Sequence, residues 1–445
     1  MGADSRPHTL ERLRAGKLTG TKRLDLSCGL VEFPPEIFDL ADSLEILNLT
    51  GNALSSLPAD LSRLINLRVL FCSENRFTEL PACIGQCSQL QIVGFKANQI
   101  RHVPAAALPP LLRWLILTDN CIETLPDTLG DCSALQKLML AGNQLQQLPD
   151  SLARCAQLEL LRISANRLTA LPAWLLKLPA LAWLAYAGNP MATHHADTPI
   201  RQIPWSHLQV QQQLGEGASG VIQQALWLTS EQQAAAVAVK LYKGSITSDG
   251  SPLNEMAACI AAGAHPNLIA VEGQIEEHPY GQVGLVMQLI APSFVNLAGP
   301  PSLESCTRDI YQPGTVFSLS TALRLAGGIA SAAEHLHACH LSHGDLYGHN
   351  ILRDPRGECL LGDFGAASFY PTGISQQSVL LERIEVRAFG ILLGELMERC
   401  ESQGMDELGE LQARCVQADV QARPSFVEVS RVLAEFAPPD KRDSL

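Results

Sequence analysis

The residues that could do chemistry lie in the second half of the chain. Gly215-Glu216-Gly217-Ala218-Ser219-Gly220-Val221 is a glycine-rich stretch of the GxGxxG-V kind. Such a backbone can bring its N–H groups close around phosphate oxygens, although the same spacing occurs in many turns. Its flanks narrow the reading. Leu208–Leu214 before it and the run VIQQALWL after it both read as strands, and a hairpin is unlike the strand–loop–helix unit of dinucleotide-binding folds. Further on come Val237-Ala238-Val239-Lys240, then Glu255 in the helical stretch LNEMAACIAAGA. The run His343-Gly344-Asp345-Leu346-Tyr347-Gly348-His349-Asn350 and the tripeptide Asp363-Phe364-Gly365 follow. Taken singly these are weak signals, because a Lys–Glu pair is often structural and Asp-Phe-Gly can be any turn. The remaining histidines do not have metal-ligand spacing. His194-His195 fall in a linker, and His335, His337 and His340 share a helix without Cys or carboxylate partners at suitable separations.

Taken together, in this order and spacing, the pieces resemble the protein-kinase family from about Leu208 to Ala437. The resemblance implies an ATP- and Mg2+-dependent transferase that moves a phosphoryl group to a protein hydroxyl, most simply that of Ser or Thr. Lys240 would contact ATP phosphates, with Glu255 as its ion-pair partner fifteen residues on. Asp345 would accept or orient the substrate hydroxyl proton, and Asn350 and Asp363 would hold magnesium. The nucleotide would lie under Gly215, Glu216, Gly217, Ala218, Ser219, Gly220 and Val221. GLVMQLI reads as the buried strand leading to a hinge of Gln288, Leu289 and Ile290, with Met287 guarding the adenine pocket. His265-Pro266-Asn267 follows the helix of Glu255 as in many kinases. Glu385-Val386-Arg387-Ala388-Phe389-Gly390 resembles the start of the large central helix, and Arg423-Pro424-Ser425-Phe426 the late Arg motif that braces it.

The pattern also departs from the family. Gly344 stands where the family carries an Arg that anchors a phosphorylated activation loop, so switching by loop phosphorylation loses its usual receptor. Tyr347 stands where serine/threonine kinases carry a Lys that steadies the transferred group; a phenol can donate one hydrogen bond but no charge. Lys243 and Arg353 are nearby cations without an assigned place. Only nineteen residues separate Gly365 from Glu385, with Leu381-Glu382-Arg383 as a remnant of the usual Ala-Pro-Glu. A segment that short fits a restricted protein substrate delivered by the first half of the chain, a small-molecule substrate, or a nucleotide-binding scaffold without transfer. Conversely, Ala291–Phe317 reads as an insertion after the hinge. Its Pro, Gly and Ser content marks a loop at the mouth of the nucleotide cleft.

The first half is organised by a repeat. Asn52, Asn75, Asn98, Asn120, Asn143, Asn166 and Asn189 recur at steps of 23, 23, 22, 23, 23 and 23. A second column travels with them: Leu57-Pro58, Leu80-Pro81, Val103-Pro104, Leu125-Pro126, Leu148-Pro149 and Leu171-Pro172, after a degenerate copy from Leu24 to Pro34. This resembles the leucine-rich-repeat family over about residues 20–190. A single copy cannot bury its apolar face, whereas a stack can, and each Asn amide can satisfy backbone groups in its turn. His8–Lys17 would cap the array at one end, and Asn189-Pro190 with Thr193–Thr198 would close the other. The position before the second leucine reads Ile46, Val69, Ile92, Trp114, Lys137, Leu160 and Trp183. Alternation along a strand puts these on the concave face. So apolar a stripe is expected to be covered, either by the chain's own kinase-like lobe or by a protein substrate or partner.

The fold class expected is therefore an α/β leucine-rich-repeat solenoid followed by an α+β bilobal protein-kinase fold. Its parts are 1–190 for the solenoid, 191–204 for a linker, 205–438 for the kinase domain and 439–445 for a tail. A chain of 445 residues with 47% hydrophobic and 17% charged residues suits two folded units. A net charge of −13 without a basic run argues against nucleic-acid binding. The thirteen cysteines are odd in number, and Cys87, Cys132 and Cys155 sit in a repeat column that holds Leu64 and Leu178 elsewhere. They read as reduced, buried hydrophobes in a reducing compartment. The N-terminus lacks an apolar core and no run approaches the ~18 residues of a membrane span, so a cytoplasmic protein is expected. Leucine-rich repeats joined to a kinase recur in plants and bacteria, and without a span this chain resembles a soluble relative more than a receptor.

Overall fold

The structure, a computed structural model, describes residues 7–191, 199–228, 234–244, 246–371, 375–400 and 406–436. His194-His195, Thr193–Thr198 and the tail 439–445 lie outside them. The chain forms two compact units, one of Met1–Ala180 with Asn189–Met191, the other of Leu181–Gly188 with Ala192–Leu445.

In the first unit a short helix, α1 (Pro7–Arg14), buries Leu13 and precedes the repeat strands. These are β1 (Arg23–Asp25), β2 (Ile46–Asn48), β3 (Val69–Phe71), β4 (Ile92–Gly94), β5 (Trp114–Ile116), β6 (Lys137–Met139) and β7 (Leu160–Arg162). They pair in parallel and in chain order, each residue facing its equivalent one repeat on: Leu47 faces Leu70, and Leu115 faces Leu138. Only about twenty residues separate consecutive strands. The return path therefore has room for no more than a proline-led 3-10 turn such as Asp127–Asp131 after Pro126. Leu47, Leu70, Leu117, Leu138, Leu140 and Leu161 are wholly buried between the two sides. The turns are tied by asparagine side chains. Asn143 accepts from Ile122 N–H through Oδ1 at 3.0 Å and donates to the carbonyls of Leu117 and Leu140, each at 2.9 Å. Asn75, Asn98, Asn120 and Asn166 repeat this pattern, so each turn is sewn to the one before it.

Most of the concave stripe is withdrawn from solvent. Val69, Ile92, Lys137 and Leu160 are buried, leaving Ile46 and Trp114 half-buried. Neighbouring strands about 4.8 Å apart make these side chains lean on one another. The Lys137 ammonium lies 4.4 Å from the centre of the Trp114 ring, and the Trp114 indole N–H is 3.2 Å from Met139 Sδ.

The second unit begins with β8 (Trp183–Ala185), whose neighbours Leu181, Ala182, Tyr186 and Ala187 are buried with it. A six-stranded sheet follows, ordered β10-β11-β12-β14-β13-β9. Its strands are β9 (Gln202–Pro204), β10 (Leu208–Glu216), β11 (Gly220–Leu228), β12 (Ala234–Tyr242), β13 (Val271–Glu276) and β14 (Gly284–Gln288). Thus the last three residues of the expected linker are an edge strand, with Ile203 in a core shared with Leu208, Trp227, Val237, Val239, Ile275 and Val286. Helix α2 (Pro252–Ala262) starts at an N-cap, Ser251, whose hydroxyl accepts from Leu253 N–H. Then come β15 (Val295–Asn296), the alanine-rich α3 (Leu319–Ala338), β16 (Leu341–Ser342), β17 (Ile351–Arg353), β18 (Cys359–Leu361) and β19 (Ser368–Phe369). Helices α4 (Gln376–Met397), α5 (Asp406–Val416) and α6 (Phe426–Phe436) complete the unit.

One expected boundary is corrected. Glu385–Gly390 does not start the central helix but lies in its middle, because Ser375 caps α4 ten residues earlier by accepting from Ser378 N–H. Among the described residues no helix is long and apolar enough to cross a membrane. All thirteen cysteines are free thiols, and burial pushes Cys87 up to about 12 and Cys132 and Cys155 up to about 11.

Candidate active site

Antiparallel pairing of β10 with β11 places the glycine-rich turn at their tip, and Gly217 N–H donates to Gly220 O at 2.9 Å to close it. Pairing of β11 with β12 sets Ile222 opposite Lys240. Helix α2 carries Glu255 in its first turn, and the Lys240 Nζ–Glu255 Oε1 ion pair is made, with Glu255 only 2% exposed. Burial alone would lower the Lys240 pKa, but the charge and hydrogen bond of Glu255, with Asp363 behind, raise it above its ordinary value. The ammonium is thus kept charged inside the protein.

A cavity of about 250 Å³ opens between these elements, lined by Gly217–Gly220, Lys240, Glu255, Met287 and Gly362–Gly365 among others. Asp363 holds a left-handed backbone, φ 56°, which a non-glycine residue adopts only when its surroundings impose it. The structure therefore brings together Gly217, Ala218, Ser219, Gly220, Lys240, Glu255, Met287 and Asp363. Gly215, Glu216 and Val221 stand back from this cavity in β10 and β11, and Gln288, Leu289 and Ile290 line a separate hollow with His265, Phe294 and Leu360. Cys259 also lines the cavity, and burial pushes its thiol up to about 12, which disfavours the thiolate form.

The loop His343–Asn350 is fixed to the floor of this cavity. His343 donates from Nε2 to the Gly362 carbonyl at 2.8 Å and accepts from Asp345 N–H through Nδ1 at 3.3 Å. Asn350 donates through Nδ2 to the Asp345 carbonyl at 2.9 Å and to Asp345 Oδ2 at 2.8 Å. These bonds use the Asn350 amide nitrogen and leave its carbonyl oxygen as a hard donor, like the Asp363 carboxylate, of the kind Mg2+ takes. From α4, Glu385 accepts from Gly344 N–H at 2.7 Å and from His337 Nε2 at 2.7 Å. Burial alone would raise the Glu385 pKa, yet these donors hold it below its ordinary value.

Gly344 has φ +73°, and a Cβ there would lie 2.5 Å from Ala366 O and 2.8 Å from Leu184 O. An Arg is excluded by that geometry. Tyr347 is not a donor facing the cavity; its ring is buried, stacked on Trp183. Lys243 belongs to the glycine turn, bonding Glu216 at 2.8 Å and Gly217 O at 3.0 Å, while Arg353 lies over the Phe317 ring. The residues after the hinge do not simply form a loop at the cleft mouth. Asn296 donates to His349 O at 2.8 Å, and Asp309 takes both the His349 backbone N–H and ring Nδ1, the latter at 2.7 Å. That stretch buttresses the loop of Asp345. Asp309, Leu184, and the cavity-lining Thr247 and Asp249 were not marked by any motif; Glu385 was marked only as the start of a helix, and Gly344 by being the wrong residue.

Comparison with known proteins agrees with this architecture. Residues 208–379 match the family model of protein tyrosine and serine/threonine kinases, and residues 43–64 and 133–191 match leucine-rich-repeat models. The chain thus carries leucine-rich repeats and a protein-kinase domain. It is similar to a Dictyostelium discoideum protein named "Probable serine/threonine-protein kinase drkC", 23% identical over 53% of this chain and 35% of that one. It is also similar to an Arabidopsis thaliana protein named "Probable LRR receptor-like serine/threonine-protein kinase RKF3", 32% identical over 20% of this chain and 18% of that one. A solved leucine-rich-repeat protein of Leptospira interrogans is 30% identical, covering 41% of this chain and 47% of that one, with a TM-score of 0.38. The chain spans about half or less of the length of the curated relatives it matches.

Proposed function

We propose that this chain is an ATP- and Mg2+-dependent protein kinase acting on Ser or Thr, with the repeats recruiting or regulating. The observation that carries the reading is the convergence of Lys240, Glu255, Asp363 and the turn Gly217–Gly220 on one cavity, with the Asp345–Asn350 loop bonded to its floor through His343. In this reading ATP supplies the phosphoryl group. Lys240, its charge maintained by Glu255, faces the phosphates beneath the glycine turn. Asp363 and Asn350 offer oxygen ligands to Mg2+. Asp345, oriented by the Asn350 amide, receives the proton of the attacking hydroxyl. Positioning and charge neutralisation are most of what phosphoryl transfer asks of a protein. The serine/threonine assignment follows the names of the relatives, and the free thiols favour the cytoplasm.

Burial of Tyr347 beneath Trp183 favours a second reading, a nucleotide-binding scaffold, because the residue standing where the family's Lys would steady the transferred group is an uncharged, buried ring. The test is incubation of the full chain with γ-labelled ATP and Mg2+, with and without a generic protein substrate. Label on protein supports the kinase; nucleotide bound without transfer supports the scaffold.

A further inference from the structure

By sequence, Leu181–Gly188 belongs to the last repeat and lies outside the span that matches kinases, yet it is built into the loop of Asp345. The Trp183 indole stacks on Tyr347 with ring centres 4.1 Å apart and planes 7° from parallel. Its N–H donates to the Leu346 carbonyl at 3.1 Å. Three residues on, Tyr186 N–H donates to Ser368 Oγ at 3.0 Å. Between these points the Leu184 carbonyl lies against Gly344, filling the place a side chain would take. The packing is close: Ala182, Leu184 and Tyr186 leave a void of only about 10 Å³ against Gly344 and Glu385. Trp183 is 1% exposed and Tyr347 5%.

These contacts fall on Gly344, Leu346 and Tyr347, the residues on either side of Asp345, and on Ser368 just after the Asp363–Gly365 turn. Other restraints on the loop come from Gly362, Glu385, Asp309 and Asn296. At Gly344 there is no guanidinium to receive a phosphate, and Leu184 occupies the position instead. Of the Ser and Thr residues after Gly365 that could carry phosphate, Ser368 and Ser378 are buried, and Ser375 is exposed but spends its hydroxyl capping α4 by accepting from Ser378 N–H; Thr372 lies outside the described residues. A loop that must be set without a phosphate needs a permanent support, and one is present.

We propose that Leu181–Gly188 is a permanent brace that sets the geometry of the Asp345 loop in place of activation-segment phosphorylation, with Trp183 as its positioning residue. The proposal rests on the kinase reading only for its kinetic arm. Trp183 does not line the nucleotide cavity, so its effect belongs in kcat and not in the KM for ATP. Misplacement of a catalytic group by about 1 Å costs on the order of a hundredfold in rate.

The experiment compares Trp183→Ala and Trp183→Phe in the full chain by hydrogen exchange of residues 343–350 and 366–371, and by steady-state transfer. Trp183→Ala is expected to speed exchange of those segments about tenfold or more and to lower kcat by roughly tenfold to a hundredfold. KM for ATP should stay within about twofold, and Trp183→Phe, which keeps the stack, should recover most of both losses. Wild-type exchange in Trp183→Ala, an unchanged kcat beside faster exchange, or a raised kcat would each overturn the brace; the last would make the segment an inhibitory cover. If the wild-type chain transfers no phosphate, the kinase reading falls, and exchange alone decides the brace. Should Trp183→Ala fail to fold, Tyr347→Leu removes the same stack from the other side and carries the same expectations.

Discussion

Replacing Gly344 by Ala tests the geometry around Asp345 with a single methyl group. Two costs can be separated. At φ +73° an L side chain meets its own backbone, which costs about 1 kcal/mol. The Cβ would also lie 2.5 Å from Ala366 O and 2.8 Å from Leu184 O, and both are backbone atoms that cannot rotate away. Moving packed backbone to relieve such overlap costs typically 1–3 kcal/mol, about 2–4 kcal/mol in total. Gly281 supplies the control, since its φ is +66° and a Cβ there would meet nothing within 4 Å. Gly281→Ala should therefore lose only the first part. Urea unfolding of the full chain, followed at the transition of the second unit, reads both variants against the wild type. The expected order is wild type, then Gly281→Ala down about 1 kcal/mol, then Gly344→Ala down about 2–4 kcal/mol. Equal losses in the two variants would refute the close approach of Leu184 and Ala366 to Gly344, and with it the explanation for the missing Arg.

Two further outcomes follow from buried polar groups. Burial, with the charge of Asp309 next in effect, raises Glu395 to about 7, while Tyr311 OH donates to it at 3.1 Å and Arg308 and Arg399 act in the opposite direction. The folded state then holds a proton that the unfolded chain releases near 4.5, so stability falls as pH rises from 4.5 to 7 and the deficit is complete above that. Glu395→Gln should raise the melting temperature at pH 8, with at most about 3 kcal/mol recovered, and change it little at pH 4.5; equal effects at both pH values would contradict the assignment. In the repeats, Asn143→Ala strands Ile122 N–H in the interior and removes one of the two asparagine donors to each of the Leu117 and Leu140 carbonyls, which keep Asn120 and Asn166. A loss of about 1–3 kcal/mol is expected in denaturant unfolding of the first unit, and a loss below about 0.5 kcal/mol would show that the ladder is not a support.

The repeats were legible because each copy must solve the same local problem, and the solution leaves Asn and Leu-Pro at a fixed period. The cavity was legible for a related reason: a hairpin turn without side chains, a Lys on the next strand and a Glu one helix away are each dictated by local backbone geometry. What escaped depends on contacts distant along the chain. Trp183 falls in the same column as Ile46 and Trp114, and nothing local distinguishes it, yet its partner Leu346 is 163 residues on. Asp309 sits in a stretch whose Pro, Gly and Ser content reads as loose, but its carboxylate is committed to His349. The early start of α4 did have a signal, Ser375 three residues before Ser378 and an apolar run, outweighed by the likeness of Glu385–Gly390 to a helix start. Gly344 and Tyr347, read as losses from the family pattern, become intelligible once Leu184 and Trp183 are seen against them.

The most direct test of the account is the rate of phosphoryl transfer by Asp345→Asn beside the wild-type chain, with nucleotide affinity measured on the same preparations. Asp345 accepts the Asn350 amide and does not line the nucleotide cavity, so Asn should preserve the fold and the binding of ATP with Mg2+ while removing the proton acceptor. A rate at least about a hundredfold below wild type, with affinity within about threefold, is the expected result. Transfer at the wild-type rate by a clean Asp345→Asn preparation would contradict the assignment of this loop as the catalytic centre.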